Sequence, residues 1–385
     1  MTIYPRRERN ASARRRLRVL HIVLNLHQGG LERVIGDLLR GLDPDAFELH
    51  VLALRFLGQL SHGLDDYATL HVAKQYSRWS MLHPSGIRDE IAEIAPDIVH
   101  THSGVWFKAS LAARMAGVPF LVHSDHGRQS PDPWADRFVD GLASRRTDVV
   151  IAVSEPLGRQ LATTVVAHPE RVRVIHNGVD TDTFCQRPDD GVLRAELGIG
   201  PSVPIIGSIG RLDRIKGFDV MIDAFAVLRA QWPGTDAPVL VIGGDGPERD
   251  ALRNQVQRLG LDGQTHLLGW RSDVGSMLRA FSLFTMSSHS EGTSIGLLEA
   301  MSSGRCPVVT DVGGNADVLG AALRHRLRPV DAAQIAHGWM DALRDPTRLL
   351  EDGNAARQRV VEKFSLAAMI AAHESLYRSA MPGTP

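Results

Sequence analysis

The stretch from Val203 to Asp219, VPIIGSIGRLDRIKGFD, reads as an apolar strand running into glycines and then into a helix. Val203 to Gly210 is short, rich in β-branched residues and bounded by glycine, the pattern of a strand buried on both faces. Arg211 and Lys216 follow the turn, and a helix is expected to begin around Gly217. Backbone N–H groups at a helix start, joined by a guanidinium and an ammonium, form a seat for a diphosphate. The same residues also suit a solvent-exposed connection with two ordinary basic side chains.

The alternation recurs on both sides of this stretch. Before it come LRVLHIVLNL (Leu17 to Leu26), DIVHTH (Asp97 to His102), PFLVHSDHG (Pro119 to Gly127) and DVVIAVS (Asp148 to Ser154). Helical segments such as GGLERVIGDLLRGL (Gly29 to Leu42) and ADRFVDGLASR separate them. After it come APVLVIGG (Ala237 to Gly244), THLLGW (Thr265 to Trp270), FSLFTMS (Phe281 to Ser287) and CPVVTD (Cys306 to Asp311). Short strands alternating with helices imply α/β domains with parallel sheets covered on both faces. The polar, turn-rich CQRPDDGVLRAELGIGPS interrupts the series and places a boundary near residue 186. A chain of 385 residues, 43% of them hydrophobic, is long enough for two such domains.

Charge excludes little but is informative at one end. The 43 Lys plus Arg nearly cancel the 44 Asp plus Glu, so net charge gives no reason to expect a nucleic-acid partner. Only the start is lopsided: RRERNASARRRLR (Arg6 to Arg18) is dense in arginine with a single glutamate. Such a leader is either a solvated tail or a contact with an anionic membrane surface. Two cysteines, Cys185 and Cys306, make neither a disulfide framework nor a zinc cluster. With no long apolar run and no signal-peptide core, the expected location is cytoplasmic, with peripheral contact at the inner face of a membrane as the alternative to a free tail.

A second stretch, HSEGTSIGLLEAMSSGRCPVV (His289 to Val309), brackets an apolar helix with Glu291 and Glu299. If the helix runs from near Ser294 to near Gly304, Glu291 lies on the approach loop and Glu299 about a turn inside. Gly292, Thr293 and Ser294 then offer N–H groups to phosphate, and Glu299 suits ribose hydroxyls. Acidic residues near a helix start are also favourable without any ligand. A third turn, GGDGPERDAL (Gly243 to Leu252), has Pro247 at an expected first helical turn, so it also reads as simple capping.

Taken together, GGLE at Gly29, HNGVD at His176, GRLDRIKG at Gly210, GDGPER at Gly244 and the two glutamates seven residues apart resemble the retaining glycosyltransferases of family 4. The resemblance runs from about residue 20 to residue 315. It implies the GT-B architecture: two facing Rossmann-like domains with a nucleotide-sugar cleft between them. The expected organisation is a basic leader (1–16), an acceptor-side domain (17–185), a donor-binding domain (186–363) and a last helix (364–385) crossing back to the first domain. By the same resemblance, Gly29, Gly30, Arg211 and Lys216 bind the donor diphosphate with Gly292, Thr293 and Ser294. Glu299 takes the ribose, Glu291 contacts the transferred sugar, and His126 lies near the reaction centre.

Ala316 and Asp317 stand where many relatives have proline and glutamate, and GAALRHRLRPVDAAQ lacks the usual glycine-rich turn, so the donor sugar is not assigned. On the acceptor side, THSGVWFKASLAAR places His102, Trp106 and Lys108 around a strand-to-helix transition. Trp106 suits either stacking on a sugar or surface packing. YSRWSMLHPSG (Tyr76 to Gly86) is a second acceptor loop candidate.

The implied reaction moves a sugar from a nucleotide-diphosphate sugar to a glycan or lipid-linked hydroxyl with retention. Arg211, Lys216 and helix N–H groups would stabilise the leaving charge, and no metal ligand set is evident. A nucleotide-sugar epimerase and a catalytically weak nucleotide-sugar binding protein are the other classes this pattern admits. An NAD-dependent enzyme fits less well, because NLHQGGLE is not the tighter dinucleotide fingerprint.

Overall fold

The computed structural model describes residues 15–26, 29–58, 61–74, 84–128, 132–234 and 236–380. Contacts divide the chain into two units, Met1–Asn177 with Leu366–Pro385, and Gly178–Ser365.

The first unit holds β1 (Leu17–Asn25), β2 (Phe47–Phe56), β3 (Thr69–Val72), β4 (Ile98–His102), β5 (Phe120–Asp125), β6 (Val149–Ala152) and β7 (Val172–Val174). They form a seven-stranded sheet in the order β3-β2-β1-β4-β5-β6-β7, with every neighbouring pair parallel. The second unit holds β8 (Ile205–Ile209), β9 (Val239–Gly243), β10 (Thr265–Leu267), β11 (Leu283–Met286), β12 (Cys306–Thr310) and β13 (Leu327–Arg328). Its six-stranded parallel sheet follows the order β10-β9-β8-β11-β12-β13. Both orders are that of a Rossmann-like doubly wound sheet. The strand order reverses between β1 and β4 and between β8 and β11, and ligands of such sheets bind at the carboxyl ends of the strands flanking that reversal.

Central strands are apolar almost throughout because helices cover both faces; β8, β11 and β12 are buried nearly end to end. The strands β2, β3, β7 and β13 are absent from the sequence reading. In β2, Glu48, His50 and Arg55 interrupt the apolar run, while β3 is an exposed edge and β13 only two residues long.

Two boundaries differ from the sequence expectation. Residues 178–185 belong with the second unit, not the first. Val179 N donates to Phe364 O at 2.9 Å, and Phe184 is buried in that unit's core. The leader also ends earlier than residue 16. Arg15 pairs with Asp97 at 2.6 Å, and Arg18 donates to Ile94 O and Glu48 Oε1 at 2.6 and 3.0 Å. The leader's first fourteen residues and most of the Tyr76 to Gly86 loop lie outside the described residues.

The C-terminal helix Leu366–Ser379 belongs to the first unit. Its Glu374 accepts a hydrogen bond from Asp43 N at 3.0 Å, and its Tyr377 is fully buried.

Candidate active site

In the second unit, glycine lets two turns clasp each other. Gly210 N donates to Gly243 O at 3.0 Å, Leu212 N to Asp245 O at 3.0 Å, and Glu248 N to Leu212 O at 3.0 Å. A side chain at Gly244 (φ 144°) would overlap the Gly210 carbonyl, so the close approach requires glycine there. The GDGPER turn is therefore a brace for GRLD. The next helix starts at Arg249 with Glu248 as its cap, which leaves Pro247 outside the helix rather than in its first turn.

Arg214–Lys216 forms a single 3-10 turn, and the helix Phe218–Gln231 follows Gly217. Gly217 is left-handed (φ 60°), and a side chain there would overlap Ser287 O. That conformation lays the turn against the end of β11, where His289 N donates to Ile215 O at 2.8 Å.

The result is an ion pair 75 residues apart in sequence: Lys216 Nζ lies 2.7 Å from Glu291 Oε1. Ser288 Oγ donates to the same oxygen at 2.6 Å. The Glu291 side chain is 6% exposed and that of Lys216 28%. The sequence reading left Glu291 free to face a sugar; the structure commits one of its oxygens to Lys216 and Ser288. An ammonium has three donors, so Lys216 can hold Glu291 and still reach a second anion.

The loop carrying Glu291 is pegged from behind. Gly314 N donates to Glu291 O and Gly292 O at 3.3 and 3.1 Å, and Gly313 (φ 52°) has no room for a side chain against the Glu291 carbonyl. Ser294 caps the helix Ile295–Ser302, its hydroxyl accepting from Leu297 N at 3.4 Å. Thr293 is buried and Gly292 half-buried, while Glu299 is buried within that helix. Ser208, Gly210, Lys216, Ser287, Glu291 and Ser294 line a recess at the β8/β11 reversal. Arg211, adjoining Gly210, is 61% exposed and lies 3.2 Å from Asp213.

In the first unit, the reversal point is lined by histidine. His21 on β1 lies beside His100 on β4, and His102 beside Ser124 on β5. The two-residue strand period puts His100 and His102 on one face. His21 Nδ1 lies 3.1 Å from His102 Nε2, and His102 Nδ1 lies 3.3 Å from His126 Nε2. The nitrogens of His100 engage Tyr377 Oη at 2.6 Å and Ser124 Oγ at 2.7 Å.

Burial, reinforced by neighbouring imidazoles, pushes these rings toward the neutral form: His21 and His126 down to about 3, and His100 and His102 well below the usual value; burial alone takes His373, on the helix Leu366–Ser379, down to about 4. His21, His100 and His102 offer nitrogens within 4.8 Å of one another, close enough to share an ion. Sequence reasoning missed this cluster. The HTH spacing alone signalled that two of its members share a face.

Two acceptor-side expectations change. Trp106 is 3% exposed, its Nε1 donates to Thr147 Oγ1 at 2.9 Å, and His123 stacks on its ring at 3.9 Å. It is a core residue with no face left for a sugar. His102 is buried within the imidazole cluster rather than displayed. Lys108 is half-buried on the helix Trp106–Met115. Gly29 is extended (φ 172°) and precedes the helix Gly30–Gly41.

Residues 28–183 match the model described as Glycosyltransferase Family 4, and residues 189–359 match Glycosyl transferases group 1. The D-inositol 3-phosphate glycosyltransferase of Jonesia denitrificans is 30% identical over 294 residues, covering 70% of this chain and 68% of that protein. The chain belongs to glycosyltransferase family 4.

An Escherichia coli UDP-Gal:α-D-GlcNAc-diphosphoundecaprenol α-1,3-galactosyltransferase is 27% identical over 322 residues, covering 79% of this chain and 82% of that one. The crystal structure of Anabaena HepE in complex with UDP and glucose superposes with a TM-score of 0.82 at 22% identity, over 94% of this chain and 100% of that one. The fold of this glycosyltransferase is accordingly GT-B, as the motifs implied.

Proposed function

We propose that this glycosyltransferase moves a sugar from a nucleotide-diphosphate sugar to a glycan or lipid-linked hydroxyl with retention at the anomeric carbon. The observation that carries this reading is the second unit's recess, where Lys216, Glu291 and the capped helix bearing Glu299 come together at the strand reversal. Arg211, Lys216 and the N–H groups of Gly292, Thr293 and Ser294 receive the diphosphate, with Gly29 and Gly30 as the first unit's contribution. Glu299 accepts from the ribose hydroxyls.

As the bond from the anomeric carbon to phosphate oxygen breaks, the acceptor oxygen bonds to that carbon from the same face. The departing phosphate oxygen takes the acceptor proton. Charge collecting on the diphosphate is where fixed donors contribute most. Glu291 and His126 contact the transferred sugar, and no metal is needed for this charge balance.

A lipid-linked acceptor is supported by the E. coli relative, whose name specifies a diphosphoundecaprenol-linked sugar. Among the described residues no helix is long and apolar enough to cross a membrane. Peripheral contact of the arginine-rich leader with anionic lipid, at the inner face of the membrane, completes the proposal.

The test is a donor panel, UDP-sugars first, with and without cell-envelope lipid extract, reading nucleotide release and the anomeric configuration of the product. Extract-dependent release with a retained configuration is expected. An inverted product would overturn retention, and donor conversion without acceptor would indicate an epimerase. Within the site, Glu299→Gln should mainly weaken nucleotide binding, whereas Glu291→Gln should depress turnover more than binding of the bare nucleotide.

A further inference from the structure

His126, His102 and His21 stand in a line. Their facing nitrogens are 3.3 and 3.1 Å apart, and their ring centroids 5.5 and 5.4 Å apart. Each centroid distance exceeds the nitrogen distance by about the two ring radii, so the nitrogens point at each other along the ring-to-ring axis. These are N–H···N hydrogen bonds rather than stacked faces. His102 is joined through Nδ1 on one side and Nε2 on the other.

A neutral imidazole carries one proton, so it donates from one nitrogen and accepts at the other. If His126 donates from Nε2, His102 must donate from Nε2 to His21, and His21 must carry its proton on Nε2. If His21 donates from Nδ1, every proton sits on Nδ1 instead. The two terminal atoms, His126 Nδ1 and His21 Nε2, are both enclosed and have no hydrogen-bond partner among the described residues. The chain therefore has two ends and two senses.

We propose that His102 and His21 are positioning residues that fix the tautomer of His126 through this in-line imidazole chain. The proposal rests on reading His126 as a contact to the transferred sugar. A sugar hydroxyl both donates and accepts, so once donor binding uncovers His126 Nδ1 the sense of the chain decides whether that atom offers a lone pair or an N–H. Through His102 the sense at His126 is locked to the sense at His21, two rings away, without any ring becoming charged.

The neighbours favour this over a shared metal ion. His100 stacks on His102 at 4.4 Å, but both its nitrogens are held, by Tyr377 and Ser124. An ion bridging His21, His100 and His102 would have to break one of those bonds.

The experiment reads the tautomers of 15N-histidine-labelled protein by NMR at neutral pH, without donor or acceptor, with resonances assigned by single substitutions. All three rings should show the same sense, with 15N–15N coupling across both contacts. His21→Leu should leave His126 as a mixture of tautomers. His21→Asn, whose amide stands where Nδ1 stood, should restore one. In turnover, His21→Leu should lower kcat roughly tenfold with donor KM within about twofold.

Opposite senses at His126 and His21 overturn the proposal, and that measurement on the unsubstituted protein needs no variant to fold. A His126 tautomer unmoved by His21→Leu, or stoichiometric zinc binding that abolishes the coupling, overturns it as well. Unchanged turnover in His126→Ala would instead overturn the reading of His126 as the sugar contact, because the tautomers are measured without substrate.

Discussion

The two units share a strand order and differ in what they gather at its reversal. The first unit collects imidazoles that burial keeps neutral. The second collects a lysine and a glutamate that pair with each other at 2.7 Å. Topology decides where side chains converge in a doubly wound sheet. Residue type then decides whether the place stores charge or excludes it. A neutral cluster and an ion pair should respond to opposite perturbations, which makes the comparison breakable.

The largest effect expected is acid sensitivity concentrated in the first unit, where most of the buried imidazoles lie. A histidine held neutral by the fold takes up a proton on unfolding once the pH is below about 6.5, its ordinary value. Its contribution to stability is complete above that pH and is lost as the pH falls toward about 3 for His21 and His126. Each such ring costs about 1.4 kcal/mol per pH unit in that window. Hydrogen exchange followed by mass spectrometry between pH 7 and 4 should show amides of residues 15–177 opening before those of 178–365. The reverse order would break the contrast.

Next is the ion pair itself. Lys216→Ala should leave a buried carboxylate without its counter-ion and lower stability by about 3 kcal/mol in urea unfolding. Adding Glu291→Gln should recover most of that loss while donor binding stays weak. Failure to recover would mean that Lys216 matters to the fold through something other than Glu291.

Arg211→Ala sharpens the distinction from the other side. Its side chain is largely exposed, so urea stability should stay within about 0.5 kcal/mol. Nucleotide-diphosphate affinity by calorimetry should nevertheless fall by about 1.5 kcal/mol or more, the range of a charge-assisted hydrogen bond. Unchanged affinity would remove Arg211 from the diphosphate seat.

The smallest effect belongs to the leader. Deleting Met1 to Ala13 removes Arg6, Arg7 and Arg9, each contributing about 1 kcal/mol near anionic lipid. Vesicle flotation should weaken and donor affinity hold. Equal flotation with and without the segment would leave the leader without a membrane role.

Legibility followed the range of the interaction. Strands such as Ile205–Ile209 and Cys306–Thr310 were readable because their apolar runs and flanking turns lie within a few residues. The helix after Ser294 was readable from its cap and its closing Gly304 for the same reason. The strand Phe47–Phe56 was not, because its His50 serves a contact with His71 on the neighbouring strand that no local pattern encodes. The pairing of Lys216 with Glu291 depends on Gly217 folding one turn against Ser287, and the imidazole line depends on the register of β1, β4 and β5. Trp106 stayed open between binding and packing because sequence does not reveal that Thr147 and His123 already occupy it.

The last helix has a consequence for synthesis. Since Leu366–Ser379 completes the first unit, that unit is discontinuous in the chain, whereas 178–365 is one continuous insert. Val179 and Ser365, where the insert begins and ends, pair as neighbouring backbone. On the ribosome, the insert can finish folding while the N-terminal sheet still lacks Tyr377 against His100. The half of the molecule made first is therefore completed only after the other, and its imidazole face stays uncovered until Tyr377 has left the exit tunnel.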